Sequence, residues 1–221
     1  MGQVREKCVL PFFVNSKKME IKNIIFDFGG VICDLLIDEC MANFRKLGIN
    51  GNMFPAEYCQ FEGIFKKIDR GLISPAEFYD ELRKINNVSD VTDSQIRDAW
   101  NSLIAPVQAE RFEAFKSLKE DHDLYILSNT NEIHWDYIVN HSMVYEGESV
   151  MPWFRHAFAS HELHLEKPEA AIYRTVLDTA GIKAAETLFI DDNRLNLDGA
   201  AKLGINTMLS KGGDWIGRLL G

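Results

Sequence analysis

The chain has 221 residues, 46% hydrophobic and 26% charged, with a formal net charge of −9. That is an ordinary globular composition, with length for one domain or one domain carrying an insertion and no need of a disulfide or structural metal to hold a core. The negative balance argues against nucleic acid and anionic membranes as partners, and no apolar run approaches the ~20 residues of a membrane span.

Residues 1–19 read as an N-terminal extension. Arg5 and Lys7 precede a short apolar run that Pro11 interrupts, which is a poor signal peptide, and Met19 is an alternative start. Residues 20–27 predict a strand. From 36 to 106 no strand pattern occurs. Helices are expected near 38–47 and 54–68, then behind two capping boxes, Ser74-Pro75-Ala76-Glu77 and Thr92-Asp93-Ser94-Gln95. The α/β pattern then resumes: helix 108–120, strand 123–128, helix 131–141, a short strand 156–160, helix 168–180 stopped by Gly181, strand 187–191, helix 193–203 ending at Gly204, and strand 205–209.

This alternation predicts an α/β fold, a doubly wound parallel sheet with an inserted helical cap. The core would be 20–35 and 107–221, and the cap 36–106. Carboxyl ends of parallel strands share one edge, so Asp27, Ser128, Asp191 and Asp192 are expected together there. The insertion leaves from the same edge and can fold over the crevice.

The run Ile24-Ile25-Phe26-Asp27-Phe28-Gly29-Gly30-Val31 is an apolar strand that ends in a carboxylate. Desolvating a bare charge is costly, so such an Asp is solvated at a crevice or faces a cation. Leu127-Ser128-Asn129-Thr130 is a second apolar strand end, with hydroxyls. Glu166-Lys167-Pro168-Glu169 places a lysine at a helix start, and Leu188-Phe189-Ile190-Asp191-Asp192-Asn193 ends a third strand in two acids. Cys8, Cys33, Cys40 and Cys59 are irregularly spaced and read as reduced thiols of a cytoplasmic protein. His161 and His164 read as loop residues, since no third ligand accompanies them, and Trp100, Trp135 and Trp153 as packing residues.

In this order and spacing, the four stretches resemble the motifs of the haloacid dehalogenase superfamily, most closely its phosphatase-like branch, over about residues 20 to 210. The resemblance implies a phosphomonoester hydrolase that works through an aspartyl-phosphate. Asp27 would be the nucleophile, with Lys167 and Ser128 as its catalytic partners. Ser128, Asn129, Lys167 and, from the cap, Arg70 would bind substrate. Mg²⁺ would be held by Asp27, Asp192, Asp191 and the backbone carbonyl of Gly29, with Asn196 behind them. The partner is a small phosphate ester, and the enzyme a cytoplasmic monomer or weak dimer.

Gly29 departs from the family, most phosphatases of which carry an acid–base Asp at this position. General acid–base help is typically worth about 10²–10⁴-fold, and its loss matters least for an acidic leaving group. A group of sugar-1-phosphate phosphatases in the family is similar here and shares the Ser-Asn-Thr-Asn and Asp-Asp-Asn segments, which points to a sugar phosphate. Two other readings share the same residues. A haloacid dehalogenase would lose halide without a proton, and a non-catalytic phosphate-binding regulator would have lost turnover through Gly29.

Overall fold

Four buried residues, Asn23–Phe26, make the central strand β1. The computed structural model describes residues 20–49 and 63–221. The expected N-terminal extension, Cys8 and Cys59, and most of the helix expected at 54–68 lie outside the described residues.

Helices α1 (Ile37–Lys46), α2 (Ile64–Asp69), α3 (Pro75–Asn86) and α4 (Asp93–Asn101) follow β1. Both capping boxes form. Ser74 and Glu77 exchange bonds at the start of α3, and Thr92 and Gln95 do so at the start of α4. The chain then builds α5 (Ala109–Leu118), β2 (Asp123–Ser128), α6 (Glu132–Tyr137), β3 (Val144–Tyr145), β4 (Glu148–Ser149), β5 (His156–Ala159), α7 (Ser160–Leu163) and α8 (Ala170–Ala180). It closes with β6 (Thr187–Asp191), α9 (Arg194–Ala201), β7 (Asn206–Leu209) and α10 (Trp215–Leu220).

The main sheet has the order β5-β2-β1-β6-β7, every pairing parallel. The sequence order reverses beside β1, which makes the junction of β1 and β6 the switch point where α/β sheets open a crevice. Register sets the site: Phe26 lies level with Ile126 and Ile190, so the next residues, Asp27 and Asp191, emerge level on neighbouring strands.

Alternate residues of the central strands go to opposite faces, and both faces are covered. Ile24, Phe26, Ile126 and Ile190 join the large core cluster with Phe115 and Trp215, while Ile25, Leu127 and Phe189 pack with Tyr173 and Val176 under α8 and α9. The helices between β1 and β2 leave and return side by side. Leu36 N–H donates to Leu103 O at 2.8 Å and Ala105 N–H to Asp34 O at 3.1 Å.

Several expectations need adjusting. β1 is shorter than 20–27. The helix expected over 131–141 is α-helical only to Tyr137 and then widens into a π turn, Ile138–Ser142. The β3–β4 hairpin was not expected, because two-residue strands around Glu146-Gly147 leave no alternation to read. His161 lies in α7 rather than in a loop. Trp100 and Trp215 are fully enclosed, and Trp135 and Trp153 are partly buried against the same core.

Candidate active site

Three side chains from distant parts of the sequence meet beyond the end of β1. The Lys167 ammonium lies 2.7 Å from Asp27 Oδ1 and 2.8 Å from Asp191 Oδ2, and it also donates to Leu127 O at 3.1 Å. Its three N–H groups are thereby all used. Burial pulls the Lys167 pKa down, but Asp191 and Asp27 outweigh it and hold the amine charged. Asn129 clamps the Lys167 backbone from both sides: its Nδ2 donates to Lys167 O and its Oδ1 accepts from Lys167 N–H, each at 2.9 Å. Ser128, the last residue of β2, is buried.

Asp191 is saturated. Oδ1 accepts from Asn193 N–H at 2.7 Å and Asn196 Nδ2 at 3.1 Å. Oδ2 accepts from Lys167 at 2.8 Å and from the same Asn196 nitrogen at 3.1 Å. Those contacts use the roughly four acceptor positions of a carboxylate. The Tyr173 hydroxyl donates to the backbone carbonyl of Asn196 at 2.7 Å, which anchors that turn of α9.

The two glycines after Asp27 serve different ends. Gly30 has φ +77°, and a Cβ there would stand 2.4 Å from Asp192 Oδ2, so only glycine lets that carboxylate approach the turn. The double glycine was visible in the sequence, but the approach of Asp192 was not. Gly29 faces Leu35, whose methyls lie 3.2 Å from where a Cβ would be. The turn is tied by Cys33 N–H to Phe28 O at 3.0 Å and Gly30 N–H to Cys33 O at 2.7 Å, which leaves the Gly29 carbonyl out of both bonds. Phe28 N–H donates to Asp27 Oδ1 at 2.7 Å.

Oxygens of Asp27, Asp191 and Asp192 all lie within 4.8 Å of one another. Three carboxylates there face one ammonium. Burial raises the Asp27 pKa; Lys167 opposes the rise, while Asp191 and Asp192 add to it. Burial and the Asp191 charge also raise Asp192. This is an electrostatic deficit of positive charge, on hard oxygen donors of the kind that suit a small divalent cation. The group fits such an ion.

Arg70 stands elsewhere. Its Nη2 contacts both oxygens of Glu169, at 2.7 and 2.8 Å. Neither His161 nor His164 belongs to the carboxylate group. Cys33 and Cys40 are buried free thiols, and burial raises both. Among the described residues no helix is long and apolar enough to cross a membrane.

A haloacid dehalogenase-like hydrolase family model matches residues 21–204. A D-ribitol-5-phosphate phosphatase from Bacteroides thetaiotaomicron is 29% identical over 196 residues, 88% of this chain and 95% of the relative. A haloacid dehalogenase-family enzyme of the same organism, crystallised with magnesium and inorganic phosphate, is 36% identical. It has a TM-score of 0.83, with 90% of this chain and 99% of that one covered. A HAD-like hydrolase from Porphyromonas gingivalis is 31% identical with a TM-score of 0.82, covering 90% and 96%. With its Asp27 and Asp191 strand ends level around one lysine, this chain belongs to the haloacid dehalogenase-like hydrolase family: an α/β hydrolase with an inserted helical cap.

Proposed function

We propose that this protein is a magnesium-dependent phosphomonoesterase acting on a small sugar or polyol phosphate. The observation that carries the reading is the Lys167 ammonium bridging Asp27 and Asp191 at 2.7 and 2.8 Å, with Asp192 in the same carboxylate group. One relative, a D-ribitol-5-phosphate phosphatase, and another crystallised with magnesium and inorganic phosphate support it. We take 20–35 and 107–221 as the core and 36–106 as the cap. We take the enzyme to be a cytoplasmic monomer or weak dimer.

Asp27 is the nucleophile. Its carboxylate oxygen bonds to phosphorus as the ester P–O bond breaks, and the departing alkoxide takes a proton from water, since Gly29 offers none. Water then attacks the same phosphorus. The P–O bond to Asp27 breaks, a proton passes to solvent, and free phosphate and carboxylate remain. Lys167 neutralises charge between nucleophile and phosphoryl group, and the Ser128 hydroxyl, with Asn129 N–H, donates to a phosphoryl oxygen. Asp27, Asp192 and the Gly29 carbonyl would hold magnesium, which supplies charge neutralisation for an anion approaching an anion. The saturated Asp191 serves instead to aim Lys167, with Asn196 aiming Asp191. Asn129 acts through the Lys167 backbone as well as its own N–H.

A panel of phosphate esters tests this: ribitol 5-phosphate, glucose 1-phosphate, a nucleotide and an aryl phosphate, with magnesium, with EDTA, and with Asp27→Asn as control. The reading expects magnesium-dependent phosphate release, fastest on a sugar or polyol ester, that EDTA and the control abolish. Hydrolysis that survives EDTA, or none above the control, contradicts it. The two sugar substrates also separate an alkyl leaving group, which needs a proton, from an anomeric one, which needs it less.

A further inference from the structure

The end of α2 is fastened along the whole loop that carries Lys167. At the near end, the Ser160 hydroxyl donates to Asp69 O at 2.6 Å. Gly71 has φ +62°, and a Cβ on it would be 2.2 Å from His161 O, so the cap backbone lies against that of α7. His164 Nδ1–H donates to Arg70 O at 2.8 Å. The acids flanking the lysine are both gripped from the cap. Glu166 lies 3.0 Å from Lys66 and 3.9 Å from the Arg70 Nε, and Glu169 lies 2.7 Å from the Arg70 Nη2.

Arg70 is the hub of this set, touching His164, Glu166 and Glu169 with three different groups. Its side chain is 23% exposed and so partly shielded from the solvent screening that makes surface pairs weak. A planar fork spanning two carboxylates also fixes geometry in a way a single ammonium does not. The loop it holds is short, and the lysine in it must keep its position against two carboxylates. A displacement of about 1 Å in such a group is enough to cost catalysis heavily.

We propose that Arg70 is a positioning residue. Through Glu166 and Glu169 it fixes the loop bearing Lys167, and so couples docking of the cap to placement of the ammonium in the active site. This rests on Lys167 acting on the phosphoryl group, as proposed above. Arg70 then has no need to touch substrate.

The test is a charge swap, read on wild type, Arg70→Ala, Arg70→Lys, Arg70→Glu and Arg70→Glu/Glu169→Arg, each with its melting temperature. Arg70→Ala is expected to lower kcat about tenfold with KM within about twofold, in line with a misplaced group rather than a lost binding contact. Arg70→Lys should recover part of that. The double swap should recover most of what Arg70→Glu loses. A second readout needs no turnover: amine acetylation of Lys167, mapped by peptide mass spectrometry, should speed several-fold in Arg70→Ala and slow again in the double swap. If Arg70→Ala does not fold, Glu169→Gln carries the same expectations.

A tenfold rise in KM at constant kcat would make Arg70 a substrate contact and overturn the inference. Unchanged kinetics and acetylation overturn it too, as does a folded double swap that restores neither. A wild type that hydrolyses no ester refutes the phosphatase reading instead, and the acetylation pattern then still decides whether Arg70 holds the loop.

Discussion

Two of the charged clusters in this molecule are handled in opposite ways. At the end of the sheet, Lys167, Asp27 and Asp191 are buried, and both oxygens of Asp191 and all donors of Lys167 are committed. Where the cap meets the core, Arg70, Lys66, Glu166 and Glu169 are 19–44% exposed, in pairs of 2.7 to 3.9 Å. The first arrangement stays in place because every alternative leaves a buried charge unpaired. The second is partly solvated, so loss of one partner strands no fully buried charge.

If that division holds, substitutions at the sheet edge should far outweigh those at the cap. The largest effect is expected for Asp27→Asn, which removes the attacking oxygen's charge and should reduce turnover by more than about 10⁴-fold, measured as phosphate release at saturating magnesium. Next, Asp191→Ala and Asp192→Ala should differ in kind. Asp191→Ala frees Lys167 and should lower kcat by about 10²–10³-fold with little change in the magnesium requirement. Asp192→Ala should raise that requirement by about 10–100-fold, with kcat largely recovered at high magnesium. A magnesium titration of both variants separates the roles, and matching shifts would contradict the assignment of Asp191 to the lysine.

The smaller effects are expected at the cap boundary and show in stability. Asn131 Nδ2 donates to Asp69 Oδ1 at 2.9 Å, and burial raises the Asp69 pKa to about 7, with the Asn131 bond opposing and the Glu166 charge adding to the rise. The native state therefore keeps a proton that the unfolded chain has already released, and the stability Asp69 contributes falls as pH rises from about 4 to 7. His134 has the reverse sign. Burial lowers it to about 4, with its bond to Trp100 O opposing, so the unfolded chain binds a proton first and stability falls as pH drops from about 6.5 to 4. The two slopes partly cancel in wild type. Asp69→Asn should add on the order of 1–2 kcal/mol at pH 8 and expose the acid slope of His134 in urea melts across pH. An unchanged profile would mean that Asp69 does not keep its proton in the native state.

Much of the sheet-edge region was legible in the sequence, because strand periodicity fixes which residues lie level. Asp27, Ser128, Asp191 and Asp192 end hydrophobic strands, and parallel register alone brings them to one edge. Both capping boxes were equally plain, since Ser74 with Glu77 and Thr92 with Gln95 are local pairs. What escaped depends on contacts far apart in the chain. Arg70 and Glu169 are 99 residues apart, and nothing local in Asp69-Arg70-Gly71 says that the arginine turns to a core loop rather than to the crevice. The saturation of Asp191 needs Asn196, Asn193 and Lys167 placed together in space. Gly30 could be read as a turn glycine, but its real constraint is the Asp192 carboxylate beside it.

The central claim is that the buried carboxylate of Asp27, and no water directly, makes the first new bond to phosphorus. Acid quenching during steady-state turnover of the best ester, followed by peptide mass mapping, tests it most directly. The account expects a phosphoryl group on Asp27, formed only with magnesium and absent from Asp27→Asn. Rapid turnover with no adduct at Asp27, or an adduct on another residue, would contradict it.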